Sequence, residues 1–172
     1  MKRIGILSDT HSCWDDRFAS HFSDCDEVWH AGDIGDISII QRLQSIKENI
    51  TVRAVAGNID HGAVRRTYNE IEEFTIEQVK VLMTHIGGYP GRYSPGIKRI
   101  LRENGIKLMI SGHSHILKVI YDHELEMLHI NPGAAGYYGW QQQRTLIKLS
   151  IDEATMKDLE VIELGKVKLC NK

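Results

Sequence analysis

Ile4-Gly5-Ile6-Leu7-Ser8-Asp9-Thr10-His11 runs from a short apolar stretch straight into a polar cluster, and that shape sets the reading of the whole chain. A brief apolar run that stops at polar, chemically capable residues reads as a β-strand delivering a functional loop. The pattern recurs. Glu27 to Ala31 opens onto Gly32-Asp33-Ile34-Gly35-Asp36, and Thr51 to Ala56 onto Gly57-Asn58-Ile59-Asp60-His61. Val79 to Met83 opens onto Thr84-His85-Ile86-Gly87-Gly88, and Ile106 to Ile110 onto Ser111-Gly112-His113-Ser114-His115.

Helical stretches lie between these runs. Ile39, Ile40, Leu43 and Ile46 share one face behind a capping Asp36, and Ile97, Ile100 and Leu101 follow Ser94-Pro95 and stop at Asn104-Gly105. After Ile116 the pattern becomes consecutive strands: 117 to 121, 125 to 130, 145 to 151 and 156 to 162, with 71 to 76 joined to Val79 by a tight turn. β/α units followed by mostly β favour a layered α/β sandwich over a barrel of repeated units. The 172 residues match one domain, spanning 1–172, with no repeat or linker. The tail from Gly165 to Lys172 is mildly basic and is expected to fray.

Composition excludes several classes. At 42% hydrophobic and 26% charged residues the chain carries enough apolar material to fold, so dominant disorder is excluded. A formal charge of -2 gives no global field for a polyanion, which leaves nucleic acid at most as a substrate. Cys13, Cys25 and Cys170 form no close pair, which fits a reducing compartment better than a disulfide framework. No apolar run approaches a membrane span, and Ile4 to Leu7 is too short for a signal-peptide core, so a cytoplasmic location without membrane contact is expected.

The polar loops carry the chemistry. Each motif alone is ambiguous: Asp9-x-His11 is a common strand end, Gly57-Asn58 a common turn, and a lone His85 more often structural than ligating. Together, Asp9, His11, Asp33, Asn58, His85, His113 and His115 all follow strands that this reading places in one sheet, and ligands bind at the carboxyl ends of such strands. Clustering carboxylates and imidazoles costs desolvation and repulsion that a cation relieves. Oxygen and imidazole donors without thiolate suit Mn, Fe, Ni, Co or Zn, and seven donors suggest two ions sharing one carboxylate.

These motifs, Asp9-x-His11, Gly32-Asp33, Gly57-Asn58-x-Asp60, His85 and Gly112-His113-x-His115, resemble the calcineurin-like metallophosphoesterase superfamily from residue 4 to about 133, and within it the small single-domain phosphodiesterase branch that includes relatives of the retromer sorting subunit. The resemblance implies a two-layer β-sandwich flanked by α-helices, with no cap domain. It implies one metal on Asp9, His11 and His115, a second on Asn58, His85 and His113, and Asp33 bridging both. Manganese is expected first, with nickel, cobalt, iron or zinc also fitting. The activity implied is phosphodiester hydrolysis, by in-line attack of a metal-bridging hydroxide on a small substrate. A phosphomonoesterase, or an interaction scaffold that retains its metal site, are the alternatives, and a homodimer or homotetramer is the implied assembly. Asp33, Asn58, Asp60 and His113 carry the expected catalytic roles, Asp60 by orienting a histidine or a water.

One position departs from the superfamily pattern: many members place a histidine credited with aiding the leaving group where this chain has Ile59. Missing acid catalysis is expected to handicap alkyl esters more than activated aryl diesters, unless His61 substitutes. Arg144 is a candidate phosphate contact, its alternative being an exposed arginine. His30 suits either a supporting bond to a carboxylate or a buried structural role. Tyr137, Tyr138 and Trp140 form an aromatic loop suited to edge packing, a subunit contact or stacking on a substrate base.

Overall fold

The computed structural model describes residues 1–166, so the end of the basic tail and Cys170 lie outside the described residues. Twelve strands and four helices follow in the order β1 Lys2–Leu7, α1 Asp16–Phe22, β2 Glu27–His30, α2 Ser38–Gln44, β3 Thr51–Ala54, α3 Gly62–Thr67, β4 Ile71–Ile76, β5 Val79–Thr84, β6 Gly88–Tyr89, β7 Arg92–Tyr93, α4 Ile97–Glu103, β8 Leu108–Ile110, β9 Leu117–Asp122, β10 Met127–Pro132, β11 Gln143–Asp152 and β12 Thr155–Lys166. Two five-stranded sheets dominate, ordered β12-β11-β1-β2-β3 and β4-β5-β8-β10-β9, with β6 and β7 as a small hairpin. β1, β2 and β3 run parallel, as do β5, β8 and β10, while β11 pairs antiparallel with β1, β12 with β11, β9 with β10 and β4 with β5.

This is the two-layer sandwich with flanking helices. The loops do not, however, emerge from one sheet. Those after β1, β2 and β3 belong to the first sheet and those after β5 and β8 to the second, so the chemistry sits where two sheets meet. Alternation along the strands explains why. Ile4, Ile6 and Trp29 face Val81, Met83, Leu108, Ile110 and Ile130 between the sheets. On the far face of the first sheet, Leu7 and Val28 pack on Phe18, Phe22, Ile39, Ile40 and Leu43 from the helices. Leu82, Met109 and Met127 of the second sheet cover Ile97 and Leu101 of α4. Each large apolar side chain so buried contributes about 1.5–3 kcal/mol.

Local chemistry sets the helix starts. Asp15 caps α1 by accepting from the Arg17 amide, and the Asp36 carboxylate accepts from the Ser38 amide at the start of α2. Helices α1 and α3 escape a periodicity reading because they bury few side chains, Phe18 and Phe22 in α1 and Val64 in α3.

His129 on β10 is buried beneath the second sheet, with Nε2 against the Ser111 hydroxyl at 2.9 Å. Burial first, and then the Lys118 ammonium, push its pKa down to about 4. It is therefore neutral when folded, whereas the unfolded chain takes up a proton near the ordinary value of 6.5. Its stabilising contribution is complete above pH 6.5 and is lost as pH falls toward 4. Denaturant titrations across this window should show a flatter pH dependence in His129→Phe, by up to about 1.4 kcal/mol per pH unit; identical slopes in variant and wild type would contradict the assignment.

Candidate metal centre

Asp9 and Asp33 stand at the carboxyl ends of β1 and β2, 0% and 3% exposed. Three imidazoles close on them. His115 Nε2 lies 3.0 Å from Asp9 Oδ1, His85 Nε2 lies 3.2 Å from Asp33 Oδ1 and 3.9 Å from Asp9 Oδ1, and His11 Nε2 lies 3.6 Å from Asp33 Oδ2. Among the described residues, two groups of ligand atoms converge tightly: Asp9, His11 and His115, and Asp9, Asp33 and His85. Asp33 turns one oxygen toward each side.

The backbone is bent to achieve this. Asp9, His11, Asp33, His113 and His115 all have positive φ, between 46° and 68°. Such conformations cost of order 1–3 kcal/mol each and persist where the surroundings enforce them, commonly at functional sites. Gly57 shows the same pressure: a Cβ there would lie 2.1 Å from Asp33 Oδ1, so only glycine lets the loop after β3 pass the carboxylate.

Hydrogen bonds fix each donor. His85 Nδ1 donates to the Ala31 carbonyl at 2.8 Å and His115 Nδ1 to Gln141 Oε1 at 2.8 Å, which leaves both Nε2 lone pairs facing the carboxylates. The Ile59 amide donates to Asp33 Oδ1 and the His113 amide to Asp9 Oδ2. Even so, Asp9 Oδ1, His11 Nε2 and His85 Nε2 are buried without a hydrogen-bond partner. Buried polar atoms left in this state are costly, and their convergence with two carboxylates is the donor set of a divalent cation. Burial disfavours a charged His85 and a charged His115, but Asp33 and Asp9 on the former and chiefly Asp9 on the latter outweigh it and raise both pKa values. For His11 burial wins and its pKa is lowered. Burial also opposes ionisation of Asp33, yet His85 holds that carboxyl below its ordinary value.

The other sequence candidates occupy varied places. The ring of His113 is exposed and stands edge-on to His85, centroids 5.3 Å apart, outside both tight groups; its amide is what reaches Asp9. Asn58 is exposed in a cleft shared with Gly57, Arg65 and His85. Asp60 does not orient a histidine. Its oxygens accept from the amides of Ile34, Gly35 and Gly57, tying the loops after β2 and β3 together.

Arg144 is not a phosphate contact, nor is it exposed. At 1% exposure its guanidinium donates to the Ala135 carbonyl and to Asp15 Oδ2, and it lies 3.8 Å from the Tyr137 ring centre. His61 is exposed, and its Nδ1 is held by its own loop at the Ile59 carbonyl. His30 makes no bond to a carboxylate: it sits between the Thr10 hydroxyl and the Gly32 amide, with its pKa pushed down, chiefly by burial, to about 4. Gln141 escaped the sequence reading because it stands 26 residues from its histidine in a polar run with no motif.

A model of the calcineurin-like phosphoesterase superfamily domain matches residues 1–154. The chain belongs to that superfamily. A probable metallophosphoesterase of Methanocaldococcus jannaschii is 31% identical over 167 residues, covering 93% of this chain and 81% of the relative. Zinc-complexed Vps29 from Entamoeba histolytica has the same fold at a TM-score of 0.72 and 17% identity, covering 94% of this chain and 98% of its own. A predicted phosphoesterase of Streptococcus pneumoniae superposes at 0.68 with 20% identity, covering 98% and 94%. The calcineurin-like phosphoesterases are metal-dependent hydrolases of phosphoesters, and the donor set around Asp9 and Asp33 fits that membership. No helix among the described residues is long and apolar enough to cross a membrane.

If Gln141 sets the tautomer of His115, Gln141→Ala should weaken manganese binding by about 10- to 100-fold in calorimetric titration. An unchanged affinity would contradict that role.

Proposed function

We propose that this phosphoesterase is a phosphodiesterase working with two divalent cations, manganese first, on a small diester. The observation that supports the reading is the trio of unpartnered buried atoms, Asp9 Oδ1, His11 Nε2 and His85 Nε2, gathered around an Asp33 carboxylate that faces both sides. Divalent cations held there supply Lewis acidity toward phosphoryl oxygens and lower the pKa of water into the neutral range. The chain supplies the framework. Ala31 and Gln141 keep a proton on the Nδ1 atoms of His85 and His115, and the Ile59 and His113 amides orient the two carboxylates.

Charge supports a diester over a monoester. A monoester brings an additional negative charge, yet Arg65 in the adjoining cleft is paired with Glu70, and Arg144 is committed to Asp15. With isoleucine at position 59 and His61 Nδ1 held by the Ile59 carbonyl, no side chain of this loop is poised to protonate a poor leaving group. Activated aryl diesters are the favoured substrates.

Metal-stripped protein should hydrolyse bis(p-nitrophenyl) phosphate only after addition of Mn, Ni, Co, Zn or Mg, and Asp33→Asn should lower the restored rate by about 100-fold or more. Faster turnover of p-nitrophenyl phosphate would replace the reading with a monoesterase. Folded, metal-loaded protein with no turnover of either would favour an interaction role.

A further inference from the structure

The segment from Gly136 to Gln141 contributes nothing to the tight ligand groups, yet it is built against them. Gly139 has φ +122°, and a Cβ there would lie 2.0 Å from His115 Nδ1, so this backbone passes directly over the histidine. Gln141 accepts from that same Nδ1, and the Tyr138 ring centre stands 5.0 Å from the His11 ring at an interplanar angle of 43°. The loop is pinned from within: the Gly136 amide donates to the Asp9 carbonyl, and Gln141 Nε2 donates to the carbonyls of Gly136 and Tyr138. Tyr137 packs under the Arg144 guanidinium.

Two aromatic rings of this loop are turned most fully to solvent, Tyr137 being only 44% exposed. Tyr138 is 71% exposed and Trp140 is 98% exposed. A folded chain gains nothing by holding large aromatic surface in water on a hydrogen-bonded frame beside two histidines of the cation site. The loop offers π faces and no free cation, since Arg144 is turned inward onto Asp15 and Ala135. That chemistry suits a planar ring better than a second anion.

We propose that Tyr138 and Trp140 form a stacking platform for the non-reacting substituent of the phosphodiester, and that this substituent is of the nucleoside class. The inference rests on the phosphodiesterase reading, and its test separates the two. Manganese-loaded protein is assayed on thymidine 5′-(p-nitrophenyl phosphate) and on methyl p-nitrophenyl phosphate, which share a leaving group. KM for the thymidine ester should be roughly tenfold lower or better, within the range that stacking of one base supplies. Tyr138→Ala and Trp140→Ala should raise it toward the methyl value, and Tyr138→Phe should restore it.

A second readout needs no turnover. Thymidine 5′-monophosphate should quench Trp140 fluorescence saturably in metal-free protein, and Tyr138→Ala should weaken that quenching. Turnover of both esters with equal KM would overturn the platform and leave the phosphodiesterase standing. Absence of turnover with any metal would overturn the phosphodiesterase, and the platform's role with it. A Trp140→Ala variant that dissociates an oligomer in sedimentation while keeping the KM ratio would make this loop a subunit contact and overturn the proposal.

Discussion

Two buried carboxylates within reach of the same histidine are the constraint on which the structure turns. Asp9 and Asp33 are withdrawn from water, and each lies within 4 Å of His85 Nε2. Burying like charges together is strongly unfavourable unless positive charge is supplied. His85 and His115, whose pKa values the carboxylates raise, supply part of it, but the unpartnered nitrogens of His11 and His85 and the unpartnered Asp9 oxygen leave the cluster short of satisfaction. A divalent cation completes it. The positive φ angles around the cluster, the close approach of Gly57 to Asp33 and the loop laid over His115 all serve to hold donors that would otherwise separate.

The sandwich makes such a cluster affordable. Parallel strands β1, β2 and β3 bring their carboxyl ends to one edge of the first sheet, and β5 and β8 bring theirs to the matching edge of the second. Apolar side chains between the sheets, with Trp29, Val81 and Ile110 among them, fix the separation of the two edges. Asp9, His11 and Asp33 from the first sheet then meet His85 and His115 from the second without either loop set having to be long. Asp60 adds a local tie, since its three amide bonds clamp the loop carrying Asp33 to the loop carrying Asn58.

Much of this was legible because strands announce themselves by alternation and the polar residues fall directly after them. The five candidate ligands that converge, Asp9, His11, Asp33, His85 and His115, all follow such runs. Assignment of strands to sheets was not legible, since periodicity reveals a strand's buried face but not its neighbour. Burial of Arg144 was hidden for a related reason: its partners Asp15 and Ala135 are 129 and 9 residues away, and nothing local marks them. The amide ties of Asp60 were not legible because an acid beside a ligand motif reads the same whether it serves chemistry or backbone amides. Gln141 is the converse, a neutral residue whose importance appears only when the chain brings it to His115.

Anomalous diffraction from crystals soaked in manganese tests the central claim most directly. The account predicts two peaks per chain, one in reach of Asp9, His11 and His115 and the other of Asp33 and His85. Crystals with the cluster intact and no peak at either position would contradict it.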